Sequence, residues 1–393
     1  MSCFDLIVIV NFGLKVRNLV MTREILMAIE KRLFTTLAML GLGTTTAMAG
    51  ALERVNLDTS FMYEDGIQLE LAYGSVNPSV PANWGFGSSE NIANQFVVSN
   101  MSAKADIGDK IDIGVWSTNN SHGVSLDWGP TFPVKADLTI GALVGLVRYS
   151  FSENFSVMAG MKRVQSEAGA SVTTGLGAAG VGTYTVGSGS STVGVYGVAY
   201  ERPEIALRVE LISESAGALN VNTNYTLTGG VANGSYVGAG TLGIGDAMTL
   251  KFQSGIAPNT LLFGAIRDAK WKDNQVVVPL PIPEMNSATL STFGNGQEYT
   301  IGIGRKFTDS VSGSISTFYD PSSDCDDASP LEPQCENRSI SLGAKIALAD
   351  NMNLSLGTTW SRRGTATVNL GGVSATTNKS VVTSLGAKLS YKF

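Results

Sequence analysis

The feature that most restricts this chain is a two-residue alternation that recurs along most of its length. In the last segment Val381, Thr383, Leu385, Ala387, Leu389, Tyr391 and Phe393 share one face. Ser380, Ser384, Gly386, Lys388, Ser390 and Lys392 share the other. The same pattern runs through 204–211, 338–348 and 351–360. A period of two predicts strands with one apolar and one polar face. Fourteen segments qualify, the first over 59–76, the third over 110–120 and the last over 379–393. Six connections are very short, for example Gly108-Asp109 and Pro258-Asn259. Seven are long: 77–93, 121–134, 168–187, 216–243, 273–295, 321–336 and 363–378. Short turns on one side and long loops on the other are the mark of an outer-membrane barrel. Lipid requires the sheet to close, because an open edge would leave backbone groups unpaired there.

Composition narrows the alternatives. Only 15% of residues are charged while 44% are hydrophobic, which a disordered chain would not combine. A pI near 5.0 leaves no basic face for nucleic acid. Repeated apolar runs of about 20 residues, the sign of helical spans, are missing. A soluble β-sandwich would also alternate, but its hairpins need not divide into a short and a long set. Aromatic residues sit where girdles are expected. Trp116, Trp271 and Trp360 lie at loop ends, and Phe151, Phe155, Phe307, Tyr391 and Phe393 at turn ends. The expected fold is therefore all-β: one transmembrane antiparallel barrel of fourteen strands over 59–393.

The start of the chain reads as a targeting segment. Met27 to Arg32 is basic, Leu33 to Leu42 apolar, and Ala47-Met48-Ala49 precedes Gly50. This is the three-part pattern of a secretory signal peptide, with Met27 the expected start and residues 1–26 an upstream extension. Removing 1–49 takes away five basic and three acidic residues, leaving 22 and 30, a net charge of −8. Cys325 and Cys335 both survive that processing and face an oxidising compartment, where they are expected to pair. The expected location is the outer membrane of a Gram-negative bacterium. Membrane lipid is a partner there, and the terminal Phe393 addresses the barrel-assembly machinery. A monomer is expected.

Several stretches resemble the FadL/TodX group of outer-membrane transporters. They are Tyr149 to Val157, Tyr200-Glu201-Arg202-Pro203-Glu204-Ile205-Ala206-Leu207-Arg208, Asn259 to Gly264 with Trp271 following, and Gly302 to Phe307. They spread over most of 135–393. The resemblance implies a fourteen-stranded barrel passing long-chain fatty acids or other hydrophobic compounds by passive diffusion. It also implies an inward kink in the third strand, here Lys110–Asn120 with Gly114. The family's plug of roughly forty residues with an Asn-Pro-Ala motif has no counterpart. Only Gly50 to Asp58 precede the first expected strand, so 50–58 reads as a reduced or absent plug.

A fatty acid needs an apolar groove and a cation. Loop 273–295 offers Val276, Val277, Val278, Leu280 and Ile282, either as a binding surface or as a cap over the barrel mouth. Parity places Arg208, Lys251 and Lys388 inward as candidates for a carboxylate. Glu70, Asp112, Glu210 and Lys345 share that polar lumen face. No catalytic, phosphate-binding or zinc motif occurs. The single histidine, His122, reads as a solvated loop residue beside Ser121. The acidic stretch 320–336 lacks the spacing of a calcium loop. No cofactor and no metal are expected. Two functions remain: a gated transporter for hydrophobic small molecules, or a general porin or surface structural protein with no dedicated ligand.

Overall fold

Strands with one dry and one wet face can seal a lipid-embedded wall only as a ring. In a computed structural model of the chain, which describes residues 50–282, 285–321, 325–370 and 372–393, fourteen of them do so. The strands are β1 (Gln68–Ser79), β2 (Phe96–Ile107), β3 (Ile111–Asp127), β4 (Lys135–Ser150), β5 (Phe155–Ser166), β6 (Gly189–Arg202) and β7 (Leu207–Glu214). The ring continues through β8 (Asp246–Ala257), β9 (Thr260–Lys270), β10 (Gly296–Lys306), β11 (Val311–Asp320), β12 (Cys335–Ala349), β13 (Met352–Gly364) and β14 (Ser380–Lys392). Each pairs antiparallel with its neighbour. The ring closes where β1 meets β14, from Gln68 opposite Lys392 to Ser79 opposite Val381. The expected upstream extension and signal peptide, together 1–49, lie outside the described residues.

The outer wall carries the apolar parity: Leu71, Met101, Ile113, Leu143, Met161, Ile301, Leu342 and Leu385 are all exposed. Phe151, Phe155, Phe307, Tyr391 and Phe393 are exposed at the turn end, as a girdle requires. Trp360 is exposed too, but the girdle reading fails for the other two tryptophans. Trp116 is 3% exposed and faces the lumen, and Trp271 is 0% exposed, edge-on to Phe293. Their parity outweighs the interfacial preference of indole.

Three boundaries differ from the sequence reading. The first strand begins at Gln68, not at 59; Ser60–Tyr63 forms a 3-10 turn instead. The third strand runs on to Asp127. His122 therefore belongs to the wall and is buried, edge-on to Trp271 at 5.8 Å, rather than solvated in a loop. The long connections are also folded. Ala170–Gly175 and Val181–Val186, Gly217–Thr228 and Gly234–Ile244, and Val276–Ile282 and Met285–Thr289 are hairpins that pair with one another. Residues 171–173 tie this outer sheet to the loop end of β4. At the same loop end Ala366–Leu370, Val373–Thr377, Ala82–Trp84 and Gly87–Ser89 make a second, smaller sheet.

Candidate functional site

The lumen is not open. Residues 50–67 thread through it from the loop side to the turn side, where they join β1. Leu52, Phe61 and Met62 are fully buried. The partners of the thread come from all around the ring. Arg267 Nη2 lies 2.7 Å from Glu53 Oε1, on β9. Asn56 Nδ2 donates to Glu298 on β10 at 3.2 Å. Thr59 Oγ1 and Tyr63 Oη donate to the two oxygens of Glu210 on β7, at 2.9 and 2.8 Å. Lys104 on β2 donates to the carbonyl of Glu64. Only a segment inside the barrel meets walls so far apart. Gly114 permits the closest approach: a Cβ there would fall 2.2 Å from Met62 Sδ and 2.7 Å from Phe61 Cε2. That glycine accommodates the thread and does not kink its strand.

The inward cations of the sequence reading are spent on this architecture. Arg208 stacks on the Tyr63 ring at 4.2 Å. Lys251 donates to Leu57 O at 3.2 Å and to Thr59 Oγ1 at 3.0 Å. Lys388 lies 3.3 Å from Glu70, which also accepts from Gln68, Ser102 and Ser390. Asp112 meets Arg148 at 2.8 Å and Lys104 at 3.0 Å. Lys345, half-buried, stands near Glu64. These residues surround the thread.

The apolar run is not an exposed loop surface. Val276, Val278 and Leu280 are buried on one face of the outer sheet, and Val277 and Ile282 are half-buried. Tyr184 donates to the carbonyl of Pro279 at 3.3 Å, and Tyr184, Tyr225 and Tyr236 stack beside it. The run is the core of a hairpin layer, because pairing on both edges leaves it a strand with an inner face. Cys325 and Cys335 form a disulfide, with Cα atoms 5.0 Å apart, in the connection between β11 and β12.

A cavity opens elsewhere, at a break in the wall. On β3 the register against β4 jumps from Thr118↔Ala142 to His122↔Ile140. Asn119, Asn120 and Ser121 therefore bulge out of the ladder, and Asn120 and Ser121 are buried. The ladder between β2 and β3 stops at Asn100↔Thr118 and resumes only as an isolated bridge at Ala93↔Leu126. Side chains fill part of the break. Ser99 N donates to Asn119 Oδ1 at 2.8 Å, and Asn120 Nδ2 donates to Val97 O at 3.2 Å. Arg54 reaches the same point from the thread. Its Nη1 donates to Asn120 Oδ1 at 3.0 Å, and its guanidinium lies 4.1 Å over the Phe96 ring.

Just inside, Val76, Val80, Ile92, Phe96, Val124, Leu126, Leu331 and Val382 line a pocket with about 660 Å³ of empty space, measured out to its mouth. Arg54, Arg363 and Glu332 supply its charge. An apolar lining with few polar groups is the chemistry of a site for a hydrophobic small molecule. Nε of Arg54 has no hydrogen-bond partner among the described residues. Glu332, in the loop between β11 and β12, is pushed up to about 7 by burial. Sequence reasoning missed Arg54, because 50–58 alternates too weakly to be given an inward face. It missed Arg363 because 363 was placed in a loop.

No family model matches the sequence, and no curated relative does. Solved structures match well. A FadL homologue from Pseudomonas aeruginosa is 14% identical, with 90% of this chain and 98% of that one covered at a TM-score of 0.73. The toluene transporter TodX of P. putida is 12% identical over 84% and 90%, at 0.62. The toluene transporter TbuX of Ralstonia pickettii is 12% identical over 89% and 98%, at 0.59. A closed fourteen-stranded barrel threaded by its own N-terminal segment defines the class. The chain has the barrel fold of the FadL/TodX-type outer-membrane channels.

Proposed function

We propose that this protein passes hydrophobic small molecules across the outer membrane by passive diffusion, and that acids with a long apolar tail, long-chain fatty acids foremost, are its substrates. The observation that carries this reading is the apolar pocket at the β2–β3 break, with the guanidinium of Arg54 beside it and that of Arg363 in its lining. Apolar walls suit an acyl chain, and a guanidinium matches a carboxylate in charge and geometry. The neighbours named toluene transporters support apolar cargo in general; the two arginines favour an acid over a neutral hydrocarbon. A general porin is disfavoured because residues 50–67 fill the lumen with ion-paired and hydrogen-bonded side chains.

The test is uptake of a labelled long-chain fatty acid and of labelled toluene in cells lacking their own transporters. Replacing Arg54 and Arg363 together by Gln should lower fatty-acid uptake about tenfold or more, since a hydrogen bond to a charged group contributes roughly 1.5–3 kcal/mol. Toluene uptake should be spared. Parental fatty-acid uptake by a folded double variant would refute the assignment of the head group. Free passage of small hydrophilic solutes would replace the reading with a porin.

A further inference from the structure

The outer end of the lumen thread touches a second, polar pocket, which shares Glu332 and Gln334 with the apolar one. Gly50 stands in its wall with Asn295, Asp320, Ser329 and Glu332. A Cβ on Gly50 would lie 3.5 Å from Glu332 Oε1. The backbone N–H of Ala51 donates to the same carboxylate, as does Gln334 Nε2 at 2.9 Å. Asp320 is buried nearby. Arg363 faces both carboxylates. Burial holds the half-buried Glu332 carboxyl toward its neutral form, and a cation beside it would favour the charged form. Burying such a charge is costly until a cation pairs with it.

Gly50 is also the residue that follows Ala47-Met48-Ala49, the small-residue pattern cut by leader peptidases. We propose that the mature chain begins at Gly50 and that its new α-ammonium pairs with Glu332, pinning the outer end of the thread to the loop closed by the Cys325–Cys335 disulfide. Cleavage creates a cation at the residue that lines the pocket. Cutting one residue earlier or later would displace the charge by about 3.8 Å, too far for the same pair. A chain that keeps its leader has an uncharged amide at residue 50 and cannot make the contact. Maturation thus completes the fastening of the thread.

The experiment uses the full-length gene product purified from outer membranes of a Gram-negative host. Intact-mass analysis should give an N-terminus at Gly50; any other terminus overturns the proposal. The α-amino group of the folded protein is then acylated at pH 7 in a timed reaction. An ion pair holds the amine protonated, so Glu332→Gln should label about tenfold faster than the parent, the change expected for one unit of amine pKa. Heat-modifiable gel migration confirms that both are folded, and Glu332→Asp, which keeps the charge, should label nearer the parental rate. Equal rates in the parent and Glu332→Gln overturn the pairing. A rate that responds to EDTA and not to Glu332→Gln assigns the pocket to a divalent ion and overturns it as well.

Discussion

Arg267 grips Glu53 with two nitrogens, Nη2 2.7 Å from Oε1 and Nε 3.3 Å from Oε2, although the residues stand 214 positions apart. The same guanidinium reaches Glu214 at 3.0 Å, and Glu214 accepts from Lys162 at 2.8 Å. All four side chains are buried. This cluster holds the thread to the wall between β5, β7 and β9. Removing one member of a buried pair leaves an uncompensated charge and costs roughly 3–5 kcal/mol. Arg267→Ala should therefore loosen the thread while the barrel ladder survives. Planar-bilayer recordings should reveal an ion conductance that the parent lacks, with unchanged heat-modifiable migration. A silent, folded variant would show that the cluster does not hold the lumen shut.

Gly114 gives a steric version of the same test. A β-branched side chain there would occupy the space of Met62 Sδ and Phe61 Cε2. Overpacking of this kind costs roughly 1–3 kcal/mol. Gly114→Val is expected to raise conductance as Arg267→Ala does. Gly114→Ala should do less, because the end of the Met62 side chain can swing away.

Asn119 stands in for the missing ladder at the wall break. Asn119→Ala leaves the Ser99 amide without its acceptor, a loss of about 1–3 kcal/mol if that group stays dry. Hydrogen exchange at Ser99 should speed up locally while Met101 and Ala103, deeper in the β2–β3 ladder, stay protected. Uniform acceleration along β2 would mean that the asparagine supports the whole strand.

Glu332 predicts a pH response that depends on the state of residue 50. In a chain bearing extra N-terminal residues, that carboxyl is raised from 4.5 to about 7. The folded state then binds a proton that the unfolded state releases, so stability falls with pH between those values. The contribution is complete below about pH 4.5 and gone once pH passes 7. The melting temperature of the extended chain should drop from pH 5 to pH 8, and Glu332→Gln should flatten that part of the curve. A pH profile that the substitution leaves unaltered would exclude Glu332 as its source.

The disulfide closes a short loop, its cysteines ten positions apart. Chain entropy alone makes such a closure worth roughly 2–3 kcal/mol. Reduction should expose 325–335 to protease in intact outer membranes while the barrel remains resistant. Unchanged cleavage after complete reduction would show that packing of Ala328 and Leu331 suffices to hold the loop.

The barrel was legible because lipid on one side and a polar interior on the other impose a period of two on every strand. The segment 50–67 has no such pressure. Inside the lumen Leu52 packs while Glu53 pairs, so apolar and charged residues follow one another without a period. The run Val276–Ile282 misled for a different reason. Hydropathy marks it as apolar, but which face covers it depends on hairpins at 181–186 and 217–244, which pair through the fold and not along the chain. The pocket is harder still. Arg54, Phe96, Val124 and Arg363 come from four separate segments, and the register jump beside them leaves no motif.

The seam between β1 and β14 sets an order of events. Ser79 and Val381, 302 positions apart, belong to the contacts of greatest sequence separation in the wall. Such pairings form late, since the whole loop entropy must be met first. The thread runs directly into β1 at Gln68, so a strand that closes the ring is the one covalently tied to the contents of the lumen. If the thread is in place before the seam zips, ion pairs such as Glu53–Arg267 are templates for closure as well as fastenings afterwards. Their removal should then slow the final refolding phase in detergent; an unchanged rate would mean that the ring closes first and is filled afterwards.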